Sequence, residues 1–104
     1  MWKIKKTVSI SSSHRLPGHE KCGKDHGHNY IITVYCESDK LTNGMVTDFG
    51  DIKWVVNRLD HECLNDFMEN PTAENIAKYV FDRTGNCTKV EVQETRSSSA
   101  EYSR

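Results

Sequence analysis

The sequence predicts an α+β fold, an antiparallel β-sheet with two helices on one face, and three observations predict it. Apolar and polar residues alternate near both ends of the chain, the period of strands. Between those ends, two stretches repeat apolar residues at the 3.6-residue period of helices. The resulting order, two strands, two helices and a further strand, lacks the strand–helix–strand alternation that builds parallel sheets.

Residues 2–14, WKIKKTVSISSSH, form the first strand, with Ile4, Val8, Ile10, Ser12 and His14 on one face. Residues 15–27 hold Pro17, Gly18, Gly23, Gly27 and several charges, the marks of a loop. The second strand, 28–37, places Tyr30, Ile32, Val34 and Cys36 on one side and Ile31, Thr33 and Tyr35 on the other. Bulk on both sides predicts cover on both, from helices or another subunit. The turn TNGMVTDFGD leads into a helix capped by Asp48 or by Gly50-Asp51, with a stripe of Ile52, Val55, Val56, Leu59 and Cys63. The second helix starts at NPTAEN, where Asn70 caps with Pro71 at the first helical position, or Thr72 caps in the next register. Ala73, Ile76, Ala77 and Val80 form its apolar face, and TGN at 84–86 stops it. Residues 87–95 are the third strand, with Val90, Val92 and Glu94 of one parity. The tail RSSSAEYSR either adds a short fourth strand or frays.

At 104 residues the chain reads as a single domain, 1–104, with 36% hydrophobic residues and room for one modest core. So small and polar a domain is expected to complete its core by joining copies of itself. Fourteen basic and fifteen acidic residues give a net charge of −1, without the basic stripe that nucleic acid requires. No apolar run approaches the ~20 residues of a membrane span, and the N-terminus lacks the apolar segment of a signal peptide. Cys22, Cys36, Cys63 and Cys87 include no C-x-x-C pair, so reduced thiols in a cytoplasmic protein are expected.

The chemistry concentrates in CGKDHGHNY, residues 22–30. On extended backbone, His26 and His28 point the same way with Cα atoms roughly 6–7 Å apart, a separation from which two imidazoles can reach one Zn²⁺. A hairpin across the 15–27 loop brings His14 beside them, and three histidines with no fourth protein ligand is the open arrangement of a catalytic zinc. The competing reading is surface histidines in local hydrogen bonds. Cys22, flanked by Lys21 and Lys24, is a base or nucleophile, a fourth zinc ligand, or an inert loop thiol. Asp60-His61 is either an oriented acid–base pair or a helix-end charge pair, and His19 is left facing solvent. Glu94 either reaches water at a strand end or accepts from two adjacent N–H donors of a flat heterocycle such as guanine or pterin.

In order along the chain, SSSHRL, CGKDHGHNY, GMVTDFGDIK, LDHECLN, NPTAEN and VEVQET followed by Tyr102 resemble the 6-pyruvoyltetrahydropterin synthase / 6-carboxytetrahydropterin synthase family. The resemblance implies the T-fold (tunnelling fold), whose subunits join edge to edge into a β-barrel, stacked as a homohexamer, a dimer of trimers. It implies zinc on His14, His26 and His28, Cys22 as proton acceptor and His61, supported by Asp60, as relay acid–base. Glu94 is implied to anchor the pterin and join the relay, with Thr72 and Glu74 lining the pterin pocket. The implied substrate is 7,8-dihydroneopterin triphosphate.

Within the family, the spacing C-x3-H-G-H resembles the carboxypterin branch, which cleaves the side chain, releases acetaldehyde and supplies queuosine and other 7-deazapurines. The pyruvoyl branch stops after triphosphate elimination and internal redox tautomerisation. A folate-linked branch carries glutamate where Gly23 stands, although Glu20 is nearby. No motif marks the triphosphate contacts, for which Arg15, Lys21, Lys24 and Lys53 are candidates. A non-catalytic pterin binder and a small structural zinc protein are the rivals from other classes. Neither gives a reason to combine Cys22, Asp60-His61 and Glu94.

Overall fold

The computed structural model describes residues 1–18 and 23–104. Four strands form one antiparallel sheet in chain order: β1 (Trp2–His14), β2 (His26–Ser38), β3 (Cys87–Thr95) and β4 (Ser98–Ser103). The β1–β2 pair runs without a bulge from Trp2↔Ser38 to His14↔His26, so the hairpin expected across the 15–27 loop is present. The tail does add a fourth strand, which pairs with β3.

Even-numbered positions of β1 and β2 face the core, where Val8, Ile10, Tyr30, Ile32 and Val34 are buried. Against them pack α1 (Phe49–Asn57) through Ile52 and Val56, and α2 (Ala73–Asp82) through Ile76, Ala77 and Val80. Asp48 caps α1 by accepting from Gly50 N–H at 2.8 Å. Thr72, of the two registers open to α2, makes the cap, accepting from Asn75 N–H at 3.1 Å. Both helices lie on this one face. On the other face Thr33 is buried and Tyr35 half-buried, but Ile31 stays 38% exposed, so the described residues of this chain supply only part of the cover expected there. Among those residues, no helix is long and apolar enough to cross a membrane, and Cys36, Cys63 and Cys87 are free thiols.

One expectation fails. The stripe from Ile52 to Cys63 predicts a helix reaching residue 63, but α1 ends at Asn57. Leu59 is still fully buried, whereas Cys63 has left the helix and forms a parallel bridge with Ser13. The outer edge of β1 offers unpaired backbone groups at Ser11 and Ser13, and these capture the 60–63 backbone in competition with further helical turns.

Candidate active site

His14, His26 and His28 gather at the open end of the β1–β2 hairpin because strand register puts them there: His14 lies opposite His26, and Ser12 opposite His28. One ring nitrogen from each lies within 4.8 Å of the others, a group able to hold a metal ion. Ring centroids are 4.5 Å apart for His14–His26, 5.0 Å for His14–His28 and 4.9 Å for His26–His28.

Hydrogen bonds to carbonyls settle which nitrogen faces inward. His14 Nδ1 lies 2.7 Å from the Pro71 carbonyl, and His26 Nδ1 lies 2.8 Å from the Lys24 carbonyl. A carbonyl only accepts, so both rings carry their proton on Nδ1 and turn the bare Nε2 into the cluster. Those two Nε2 atoms are 2.9 Å apart, close enough to share a proton in the metal-free protein or to turn together toward one ion. Burial holds the His28 pKa below its usual value, against the pull of Glu94, and so favours the neutral ring a metal requires. Three imidazoles, two of them oriented by carbonyls behind the ring, fit a divalent ion of borderline softness such as Zn²⁺.

A second group arrives on the segment after α1. Residues 60–65 run along the outer edge of β1: Ser11 N–H donates to Asp60 Oδ1 at 2.8 Å, His61 N–H to the Ser11 carbonyl at 2.7 Å, and Ser13 N–H to the Glu62 carbonyl at 3.0 Å. Asn65 closes the run, accepting from Arg15 N–H at 2.9 Å and donating to the Arg15 carbonyl at 3.0 Å. His61 takes a left-handed backbone, φ 58°, which throws its side chain outward, 82% exposed, with Nε2 3.5 Å from Asp60 Oδ2. His61, His28, Ser11, Asn29 and Cys63 line one open cavity of about 460 Å³. Asp60 thus spends one oxygen fixing the arm to β1 and turns the other toward the imidazole.

The family pattern described as 6-pyruvoyl tetrahydropterin synthase matches residues 3–104. The chain belongs to this family. A Synechocystis 6-carboxy-5,6,7,8-tetrahydropterin synthase is 41% identical over 98% of this chain and 93% of its own length. A relative from Archaeoglobus fulgidus, provisionally named for the same activity, is 41% identical over 94% of this chain and 92% of its own. Among solved structures, the 6-pyruvoyl tetrahydropterin synthase of Caenorhabditis elegans superposes with a TM-score of 0.80 at 26% identity, covering 99% of this chain and 95% of that one. The family fold is the four-stranded antiparallel sheet with two helices described above.

The remaining residues expected of a family member are placed as follows. Glu94, the residue between Gln93↔Ser99 and Thr95↔Ser98, sits in a bulge of the β3–β4 pair, and such bulges re-aim side chains. Its Oε1 lies 3.6 Å from His14 Nε2 and 3.7 Å from His28 Nε2, inside the cluster's surroundings. Thr72 is occupied as the α2 cap, and Glu74 is exposed in the first turn of α2. Neither lines the cavity beside His28 and His61. Of the candidates for triphosphate, Arg15 pairs with Asp25 at 3.3 Å, while Lys24 and Lys53 are exposed. Cys22 lies outside the described residues, as do His19, Glu20 and Lys21. Sequence reading passed over Asn65 and the Pro71 carbonyl. Both act through backbone geometry, and only the adjacency of LN to LDH and of Pro71 to Thr72 hinted at either.

Proposed function

We propose that this protein is a zinc-dependent 6-carboxy-5,6,7,8-tetrahydropterin synthase, converting 7,8-dihydroneopterin triphosphate and water to 6-carboxytetrahydropterin, acetaldehyde and triphosphate. The observation that carries the reading is the whole-length 41% identity to the Synechocystis synthase, and the three-histidine cluster, whose His28 lines the same cavity as His61, is consistent with it. His14, His26 and His28 would hold the ion, which when bound supplies Lewis acidity toward a hydroxyl of the substrate side chain. Glu94, with Thr72 and Glu74 as further contacts, holds the pterin ring by its N–H edge. Cys22 accepts the proton leaving side-chain carbon. His61, steadied by Asp60, exchanges a proton on the other side of that carbon as the triphosphate departs. The product would feed the pathway to queuosine, in the cytoplasm.

The same reading makes the working unit a homo-oligomer, a hexamer formed as a dimer of trimers around a β-barrel. Supporting it, β1 and β4 are both sheet edges in the single chain.

A second reading, the 6-pyruvoyltetrahydropterin synthase, is favoured by the superposition on the C. elegans enzyme. The two part at the product. Zinc-loaded protein incubated with 7,8-dihydroneopterin triphosphate is expected to give acetaldehyde and 6-carboxytetrahydropterin by mass spectrometry. The pyruvoyl product alone would move the protein to the second reading, and pterin binding without turnover would remove the enzyme.

A further inference from the structure

Glu94, read above as the pterin anchor, also stands against the histidine cluster. Its Oε1 is 3.6 Å from His14 Nε2 and 3.7 Å from His28 Nε2. Neither distance is a hydrogen bond. With Nδ1 donating to the Pro71 carbonyl, the neutral His14 ring that a metal requires offers Nε2 as an acceptor. In that tautomer a carboxylate oxygen and an imidazole lone pair face each other, with His26 Nε2 2.9 Å from His14 Nε2. Acceptors converge in this way around a shared cation. Donors bound at 2.0–2.2 Å to one tetrahedral ion lie roughly 3.3–3.6 Å from each other. The two Glu94 contacts match that edge within about 0.3 Å.

Strand geometry supplies the reason Glu94 reaches this point. It shares the parity of the buried Val90 and Val92, so it emerges on the face that carries the histidines. The bulge leaves it without a partner on β4. The same oxygen serves both contacts, and the ion pairs within 4.0 Å of Glu94 are with His14 and His28 alone among the described residues.

We propose that Glu94 is a fourth, displaceable metal ligand: it closes the three-histidine site in the substrate-free protein and leaves it when a pterin engages the same carboxylate. The proposal rests on the metal and pterin reading above. It makes metal coordination change before any chemistry, since one carboxylate cannot serve the ion and the ring N–H groups with the same lone pairs. Opening of the site is then coupled to arrival of the correct ring.

The test uses the full chain without substrate. Zn²⁺ affinity is measured by chelator competition for the unaltered protein, Glu94→Gln, Glu94→Ala and His14→Ala, and the visible spectrum is recorded after loading with Co²⁺. Loss of the fourth ligand is expected to weaken Zn²⁺ binding roughly 10–100-fold, the range seen when coordination shells are disturbed, and to change the Co²⁺ bands. A pterin lacking side-chain hydroxyls, added to the unaltered Co²⁺ protein, is expected to move its spectrum toward that of Glu94→Gln. Unchanged affinity and bands in both Glu94 variants would overturn the proposal, and loss of pterin binding in those same variants would leave the anchor role standing. Full metal retention by His14→Ala would instead bring down the three-histidine reading itself. Circular dichroism checks folding, and Glu94→Asp, one methylene shorter, replaces either variant that fails to fold.

Discussion

Replacing Asn65 by alanine removes both bonds that tie the 60–65 arm to the residue after His14: Arg15 N–H to Oδ1 at 2.9 Å, and Nδ2–H to the Arg15 carbonyl at 3.0 Å. Each net hydrogen bond contributes about 0.5–1.5 kcal/mol, so the pair sets a ceiling of roughly 3 kcal/mol. Arg15 is exposed, and water can take the place of the lost amide, so a loss of about 1–2 kcal/mol is expected. For a domain of this length that is a fall in Tm of roughly 4–16 °C. The metal site should not follow. Its nitrogens sit on the β1–β2 hairpin, and His14 is held from behind by Pro71 rather than by Asn65. Thermal unfolding and metal content measured on the same preparations separate the two effects. In turnover the variant should lose kcat with little change in metal content, because His61 is what the arm positions. An unaltered Tm, or metal lost in step with stability, would refute the view that the arm and the cluster are separately anchored.

Other consequences follow from the same contacts. Burial depresses the His28 pKa, so in metal-free protein the unfolded chain takes up a proton first as pH falls below 6.5, and stability declines there; above 6.5 both states are neutral and the group contributes no slope. Urea titrations between pH 7.5 and 5.5 should show this decline, and His28→Asn should lessen it. Thr72→Ala removes the α2 cap at a cost of about 1 kcal/mol with metal content kept; a rise in KM for the pterin beyond what Asn75→Ala causes would mark Thr72 as a substrate contact as well. Ile76→Ala, at a fully buried site on α2, should cost about 2–5 kcal/mol in chemical denaturation, and a loss under 1 kcal/mol would contradict the packing described.

Where side-chain period decides the outcome, the sequence was readable. Alternation in WKIKKTVSISSSH set which face His14 shares with Val8 and Ile10, and H-x-H set His26 and His28 on a common side. Their convergence needed only a hairpin in register, which the polar 15–27 loop implied. The boundary of α1 was not readable, because nothing in NRLDHECLN breaks a helix. The competitor for that backbone is the edge of β1, some 50 residues earlier in the chain. For the same reason Asp60 could be paired with His61 by adjacency, but its bond to Ser11 N–H could not be foreseen. The bulge at Glu94 was equally hidden, since VEVQETRSS carries no glycine to mark it.

The arm also divides the outer edge of β1. Ser11, Ser13 and Arg15 have their outward N–H groups taken by residues 60–65. By strand alternation, Lys3, Lys5, Thr7 and Ser9 point their backbone groups the same way, and among the described residues nothing pairs with them there. A ladder to another copy can therefore form along the first part of β1 and must stop at the arm. β4, six residues long, fits that free stretch and has an unpaired edge of its own. Joining of subunits on this edge would bring a neighbour up to the histidine end of the sheet without displacing the segment that carries His61. Lys5→Pro tests the division: it deletes one outward N–H at an exposed edge position, which a single chain tolerates, and interrupts any ladder formed on that edge. Light scattering should show a smaller species with the metal still bound and turnover reduced. An unchanged assembly mass would place the subunit contact elsewhere, and loss of the metal with the assembly would mean that the histidine cluster depends on a neighbour after all.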